Sequence, residues 1–162
     1  MIRHAIDAAL LRRNPYLRMV VARDGVADGA IVVVIVALIL VIPALFDGLG
    51  AFAVARIVLR GLVGWIVLSG LVYLIGRKAL EGDGTFPGTM AAVAIGMPVM
   101  LASLVLRPFA GVLASELIVS IWLMATLWMA ARVSLELDHS RALVAAVGGW
   151  VAFVAVAAIF RL

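Results

Sequence analysis

The stretch Ala30–Phe46 reads AIVVVIVALILVIPALF and contains no charged residue. An α-helix needs about 20 mainly apolar residues to cross a hydrocarbon core of roughly 30 Å, and this run comes close to that length. Its valines and isoleucines would favour a strand in water. In lipid, an isolated strand leaves its backbone polar groups without partners, whereas a helix pairs them internally. The stretch therefore predicts a transmembrane helix.

Four further apolar runs follow, with short connections between them. They predict an all-α integral membrane domain over residues 30–162, with five transmembrane helices at about 30–46, 51–76, 89–106, 112–131 and 142–160. The composition agrees, because 67% of the residues are hydrophobic and the mean hydropathy is +1.26. Soluble domains are about 45–50% apolar. No connection is long enough to hold a separate soluble domain, and EGDGTF at 81–86 is predicted to be a polar turn.

Residues 1–29 predict short interfacial amphipathic helices near 2–13 and 15–23, on the cytosolic face of the membrane. Apolar residues recur there at helical spacing up to Leu10. Asn14-Pro15 is typical of an N-cap followed by proline at the first helical position. We expect three cations of these helices to contact lipid phosphates: Arg12, Arg13 and Arg18. No cleavable signal peptide is expected, because charged residues of both signs precede the first apolar run.

The orientation follows from the basic residues, which are more frequent in short cytosolic loops than in external ones. With the N-terminus in the cytosol, nine of the 13 basic residues lie on the cytosolic side: Arg3, Arg12, Arg13, Arg18, Arg23, Arg77, Lys78, Arg132 and Arg141. Four lie on the other side: Arg56, Arg60, Arg107 and Arg161. Five spans then place Leu162 outside. The Ala-, Val- and Arg-rich, lysine-poor composition is typical of high-GC bacteria, so we expect a bacterial inner membrane with a cytoplasmic N-terminus and a periplasmic C-terminus.

The residue types limit the chemistry that the chain can perform. It has no cysteine, which excludes disulfides, thiolate catalysis and iron–sulfur clusters. Its two histidines do not stand at metal-ligand spacing, and no nucleophile is paired with a base inside a span. We therefore expect no enzymatic activity, no metal and no cofactor. The net charge of +4 comes from cations at the ends of apolar runs, which indicates contact with anionic lipid rather than nucleic acid.

Glu116 is the only acidic residue inside a predicted span, about one turn from the outer end of the fourth helix. Intramembrane carboxylates often mark ion or proton pathways. The simpler interpretation is an ion pair with Arg107 across the tight outer turn, or with Arg56 or Arg60. Those two arginines are four residues apart, share one helix face, and are expected at the outer headgroup boundary. There we expect them to contact outer-leaflet phosphates, with a partner subunit or a bound anionic lipid as the alternative. For Glu116 the ion pair is favoured, because a proton relay needs more than one group at depth.

Small residues inside the spans predict where helix backbones approach closely. The glycines expected to pack helices are Gly61, Gly64, Gly96 and Gly149. Pro43 and Pro98 are expected to kink the first and third spans. At the cytosolic end of the second span, Arg77 and Lys78 are predicted to contact lipid or a partner protein.

Several short motifs together resemble the Yip family, which is defined by the Ypt-interacting-protein domain. They are Asn14-Pro15-Tyr16, Gly82-Asp83-Gly84-Thr85-Phe86, Gly96 with Pro98, Ile121-Trp122 and Arg141-Ala142-Leu143. The resemblance covers roughly residues 10–160 and implies five helical spans, a cytosolic N-terminus and an outside C-terminus. For eukaryotic members it implies scaffolding in early secretory traffic and binding of prenylated Rab GTPases. This bacterial-type sequence departs from them in its short hydrophilic N-terminal region.

Together these features predict a non-enzymatic scaffold or accessory subunit. Its expected partners are membrane lipids and a membrane protein or larger complex, with no nucleic acid. The alternative is a small transporter or channel subunit that uses Glu116 and the Arg56/Arg60 pair. Loss of ion or solute flux on Glu116→Gln would favour that alternative.

Overall fold

The computed structural model describes residues 2–46 and 48–160, and the side chains of 6–46 and 48–158. Within these ranges, which contain no strand, the α-helices are α1 (Ile2–Ala9), α2 (Arg13–Val21), α3 (Gly25–Phe46), α4 (Ala51–Leu74), α5 (Phe86–Gly96), α6 (Ala102–Ser134) and α7 (His139–Phe160). A π-helical turn, Ile75–Ala79, extends α4, and a 3-10 segment, Met97–Leu101, joins α5 to α6. The predicted outside position of Leu162 and the side chains of Arg3 and Arg161 lie outside the described residues.

Four helical stretches in the described part of the chain are long and apolar enough to cross a membrane: Gly25–Phe46, Ala51–Ala79, Phe86–Ser134 and His139–Ala158. This confirms the prediction of an all-helical membrane protein. The third stretch has 49 residues, which as one straight helix would measure about 73 Å and exceed twice the hydrocarbon thickness of a bilayer. The sequence predicts two spans in this stretch, at 89–106 and 112–131.

The third stretch folds back on itself at Gly111, whose backbone angles (φ 75°, ψ 171°) are not helical. This region of backbone conformation is open almost only to glycine. On either side of the turn the contacts are antiparallel, because Ser134 Oγ lies 3.3 Å from Thr89 Oγ1. A straight helix would separate these two residues by about 68 Å. We call this stretch the hairpin, with residues 86–110 as its first arm and 112–134 as its second arm.

The half of the first arm that begins at Phe86 is the centre of the fold. Every residue from Gly88 to Gly96 is buried, and α2, α3, α4 and the second arm pack around it. α7 in turn packs against α4 and the second arm. The first arm begins after Thr85, whose Oγ1 accepts a hydrogen bond from the Gly88 amide at 3.2 Å. This cap satisfies one of the backbone donors that a helix start leaves unpaired.

The two predicted proline irregularities differ. Pro98 lies in the 3-10 segment Met97–Leu101, because proline cannot donate the backbone hydrogen bond of a regular α-helix. Pro43 lies inside α3, which continues past it to Phe46.

The two N-terminal helices lie close to their predicted positions in the chain and pack against the bundle. α2 begins at Arg13, so Asn14 is inside the helix and is not its N-cap. The Tyr16 hydroxyl lies beside Gly96, and Val20 lies beside Gly88, so α2 runs antiparallel to the first arm. Its first turn therefore lies about 15 Å along that arm from the Phe86 end. Contact of these helices with lipid remains a prediction.

Candidate functional site

Two side chains tie the end of α1 to the middle of the hairpin. The Tyr16 hydroxyl donates to the Ala8 carbonyl at 2.9 Å, and Trp122 Nε1 donates to the Ala9 carbonyl at 2.8 Å. The last carbonyls of a helix have no partner within it. The Ala8 carbonyl also accepts from the Leu11 amide at 2.9 Å, so the Tyr16 bond is its second, and the Trp122 bond satisfies the carbonyl of Ala9. Ala8 and Tyr16 are both 0% exposed, and burial raises the pKa of the Tyr16 phenol, which therefore stays protonated as a donor. We call Ala8, Ala9, Tyr16, Gly96 and Trp122 the junction.

A second cluster holds the end of α4, the two open ends of the hairpin and the start of α7 together. The Asp83 amide donates to the Leu135 carbonyl at 3.0 Å. A Cβ at Gly84 would meet the Ser134 carbonyl, and a Cβ at Gly76 would meet the Leu135 side chain, so neither position has room for one. We call residues 76–85 together with 134–137 the clasp.

The clasp is more than the polar turn that the sequence predicts for residues 81–86. Arg77 Nη1 donates to the Gly82 carbonyl at 2.6 Å and lies 3.2 Å from Asp83 Oδ1. Arg141 Nη1 donates to the Leu80 carbonyl at 3.3 Å. Gly76, Gly82 and Gly84 were not among the predicted packing residues, because sequence alone does not show that the connection after the second arm lies against them. The available signal was the glycine spacing in GDG.

Arg107 and Glu116 form the ion pair that the sequence favours, with Nη2 and Oε1 2.6 Å apart across the Gly111 turn. Their side chains are 49% and 54% exposed. The pair forms because the two arms are antiparallel, which brings residues nine apart in the chain to the same level. Pairing therefore accounts for the one carboxylate within the predicted spans.

Arg60 lines an apolar cavity of about 300 Å³ between α3, α4 and the hairpin. Among the described residues, neither Glu116 nor Arg56 lines this cavity. A Cβ at Gly61 would lie 3.6 Å from Ala37, which is in the middle of the apolar run of α3. Arg60 therefore lies on α4 beside the middle of α3, and its expected place at the outer headgroup boundary stays a prediction. The structure brings Arg107 and Glu116 together and does not join Glu116 to the Arg60 cavity.

The four predicted packing glycines divide into two tight and two loose positions. A Cβ at Gly149 would lie 2.6 Å from Val72 Cγ2, and a Cβ at Gly96 would lie 2.9 Å from Thr126. At Gly61 and Gly64 the nearest atoms would be 3.6 Å away, which is ordinary van der Waals contact. Close helix approach therefore requires glycine at positions 96 and 149.

A groove of about 480 Å³ runs between the N-terminal helices and α3. One end is lined by Arg18 and Asp28, and the rest by apolar side chains that reach Ile39 of α3 and Leu101 of the 3-10 segment. We call it the N-terminal groove. Sequence analysis missed it, since it forms only where α1 and α2 pack beside α3.

The family model of the Yip1 domain matches residues 9–160. The chain belongs to the Yip1 family. The match begins in the junction and ends with α7, so it includes the hairpin and the clasp, and it confirms the family that the sequence motifs predict. No curated protein and no solved structure matches this chain significantly.

The cations predicted to contact lipid or a partner are all exposed in this Yip1 domain: Arg12, Arg13, Arg18, Arg56, Arg60, Arg77 and Lys78. Arg12 Nη1 lies 2.9 Å from Asp7 Oδ1. An exposed pair of this kind contributes about 0–1 kcal/mol, so it orients the arginine more than it stabilises the fold. Exposure is a requirement for lipid or partner contact, and the contact itself remains a prediction.

Asp138, after the second arm, hydrogen-bonds to the first turn of α7 in the Yip1 domain. Asp138 Oδ1 accepts hydrogen bonds from the Arg141 amide at 2.8 Å and from the Ser140 hydroxyl at 2.9 Å. These two bonds, the first above all, lower the pKa of Asp138. The His139 ring lies 5.4 Å from the Trp128 ring. In the described part of the chain no three potential ligands cluster for a metal ion.

Proposed function

We propose that this Yip1-family chain is a five-span, non-enzymatic protein of a bacterial inner membrane, and that it acts as a scaffold or accessory subunit for another membrane protein. The observation that supports it best is the outer half of the hairpin, which leaves the bundle and exposes an apolar surface. Phe109 is 87% exposed, Leu113 82% and Ile121 69%, whereas the cytosolic half of the first arm is buried. A transmembrane helix of a partner fits such a surface, because helices in lipid associate through packing.

The five-span part of the proposal depends on the hairpin. Its first arm rises about 38 Å and its second about 33 Å, counted at 1.5 Å per α-helical residue and 2.0 Å per 3-10 residue. Each arm can therefore cross a hydrocarbon core of roughly 30 Å. With two arms instead of one span, the count rises from four to five, and the basic residues then favour a cytosolic N-terminus.

Topology can be tested by single-cysteine labelling, because the chain has no cysteine of its own. Phe109→Cys lies at the hairpin turn, and Ser140→Cys lies at the start of α7. A membrane-impermeant maleimide on spheroplasts should label Phe109→Cys at once and Ser140→Cys only after permeabilisation. If Phe109→Cys also requires permeabilisation, the hairpin re-enters the cytosolic side and the five-span proposal is wrong.

The scaffold role can be tested with a photo-crosslinking residue at matched positions. Leu117 lies on the outer half of the hairpin and is 64% exposed, while Leu59 on α4 is 62% exposed. We expect a discrete protein adduct in native membranes from position 117, and lipid adducts only from position 59. If both positions give lipid adducts only, the proposal that a partner protein binds the hairpin is contradicted.

Transport through Glu116 finds no support in the arrangement of the described residues, because Glu116 pairs with Arg107 and does not line the Arg60 cavity. Purified protein in vesicles should therefore show the same solute and ion flux with Glu116→Gln as without it. A loss of flux in that variant would overturn the scaffold proposal in favour of a transporter subunit.

A further inference from the structure

The N-terminal groove has the length of one membrane leaflet. Its α3 wall runs from Asp28 to Ile39, which is about 16 Å along the helix axis. Half of a hydrocarbon core of roughly 30 Å is about 15 Å. Asp28 is the last charged residue before the uninterrupted apolar run of α3, so this end of the groove lies at the headgroup level and the rest beside hydrocarbon.

The two ends of the groove differ in chemistry. Arg18 and Asp28 line the headgroup end, and the remaining lining residues are apolar, apart from backbone. The volume of about 480 Å³ lies within the usual range of small-molecule sites, about 300–1,000 Å³. A ligand that fits both ends has a charged head and a hydrocarbon tail of one-leaflet length, as a phospholipid acyl chain has.

The charges at the headgroup end distinguish between kinds of phospholipid. An arginine guanidinium binds phosphate through charge-assisted hydrogen bonds, and a carboxylate accepts hydrogen bonds from a primary ammonium. Phosphoethanolamine carries both groups. An anionic headgroup that lacks an amine would place its charge near Asp28, and like charges in contact are unfavourable.

We propose that the N-terminal groove binds one phosphatidylethanolamine molecule of the cytosolic leaflet. One acyl chain lies along α3, the phosphate contacts Arg18, and the ammonium contacts Asp28. The lipid fills the space between α2 and α3 and so supports the junction from the membrane side. This site rests on the cytosolic N-terminus of the proposed function, since that orientation decides which leaflet supplies the lipid.

Native mass spectrometry of the full chain tests the proposal without any variant. The protein, released from mild detergent, is offered equal amounts of phosphatidylethanolamine, phosphatidylglycerol and phosphatidylcholine. We expect a single retained lipid, with phosphatidylethanolamine over phosphatidylglycerol by about tenfold, the ratio that corresponds to about 1.4 kcal/mol. Equal retention of the three lipids, or no retained lipid, would overturn the proposal.

Matched variants then locate the site. Val32 lines the groove, whereas Val34, two residues on in the same helix, lines neither this groove nor the Arg60 cavity. Val32→Phe should lower lipid retention at least about fivefold, and Val34→Phe should leave it unchanged, with tryptophan fluorescence confirming that both fold. Asp28→Asn should reduce the preference for phosphatidylethanolamine over phosphatidylglycerol to near unity. Equal retention by the two phenylalanine variants would place the lipid elsewhere and refute the site.

Failure of the lipid site and failure of the proposed function give different experimental results. Loss of the lipid site with Phe109→Cys still labelled from outside would remove the groove proposal and leave the five-span scaffold intact. Retention of one phosphatidylethanolamine, together with labelling of Phe109→Cys only after permeabilisation, would leave the groove proposal intact and remove the five-span scaffold.

Discussion

The contact between α7 and α4 at Gly149 gives a prediction with a matched control. Gly149→Ala places a Cβ 2.6 Å from Val72 Cγ2, 3.1 Å from Val72 Cα and 3.2 Å from Val72 N. Two of these atoms are backbone and the third belongs to a stiff β-branched side chain, so α4 and α7 must move apart. Gly64→Ala on α4 places its Cβ 3.6 Å from the Phe153 ring, which is an ordinary contact.

The magnitude follows from two opposing effects. Replacing a helical glycine by alanine stabilises a helix by about 0.5–1 kcal/mol, and this gain applies to both variants. Overpacking costs about 1–3 kcal/mol and applies only at position 149. We therefore expect Gly64→Ala to raise the free energy of unfolding by up to about 1 kcal/mol. Gly149→Ala should change it by between about zero and −2.5 kcal/mol.

Thermal unfolding in mild detergent, followed by tryptophan fluorescence, measures the difference. For a chain of this size about 1 kcal/mol corresponds to a shift in Tm of about 2–4 °C, so the two variants should differ by several degrees. Adding Val72→Ala to Gly149→Ala removes Cγ2 and should return part of the loss, as a coupling of about 0.5–3 kcal/mol. Equal Tm values for the two single variants would refute the assignment of Gly149 as a tight helix contact.

Three further predictions concern single polar groups. Tyr16→Phe removes one of two donors to the Ala8 carbonyl, which still accepts from the Leu11 amide, and should lower the free energy of unfolding by about 0.5–1.5 kcal/mol, with the half-buried Tyr73→Phe as a weaker control in the same detergent melt. Ser69 Oγ is buried with no hydrogen-bond partner among the described residues, so Ser69→Ala should raise Tm. The control variant Ser134→Ala loses a hydrogen bond to the Thr89 hydroxyl and should lower Tm. The pKa of Asp138 is lowered in the folded state. The ionised carboxylate therefore stabilises the fold above its ordinary pKa of 3.8, and this contribution is lost as the pH falls through the folded pKa. The difference in Tm between the parent chain and Asp138→Ala should shrink below about pH 4.

The helical membrane fold was predictable because lipid restricts the backbone so strongly. A run such as Ala30–Phe46 has only one way to satisfy its backbone in hydrocarbon, and its length alone then defines a span. The turn at Gly111 was predictable for a related reason, since the polar and small residues of 107–111 interrupt the apolar run. The first arm starts at Phe86, three residues before the predicted Thr89, because Thr85 caps the helix. Counting consecutive apolar residues does not detect such a cap.

The site was less predictable because it depends on contacts between distant parts of the chain. The Arg107–Glu116 pair was accessible, since only a tight turn separates its members. The cavity beside Arg60 was not predictable, because residue spacing along α4 does not give the register of α4 against α3. The N-terminal groove and the junction could not be predicted, because the amphipathic pattern of α1 and α2 does not identify the helices against which they pack.

Motifs that carry the family resemblance come together in two clusters, the junction and the clasp, although they extend from residue 14 to residue 143 of the chain. The hydroxyl of Tyr16 lies beside Gly96, and Tyr16 and Trp122 both bond to carbonyls at the end of α1. Residues 82–85 of the Gly82–Phe86 motif lie in the clasp, to which Arg141 also bonds.

These motifs therefore describe how this Yip1 domain packs around the junction and the clasp, where backbones approach closely at glycines and side chains donate to backbone carbonyls. They say little about the outer half of the hairpin, where Phe109 and Leu113 are exposed and no comparable packing restricts the side chains. In the proposed scaffold role, exposed apolar residues of the outer half can change to match a partner without loss of the fold. The surface that selects a partner is thus expected on the hairpin, away from the residues by which the family is recognised.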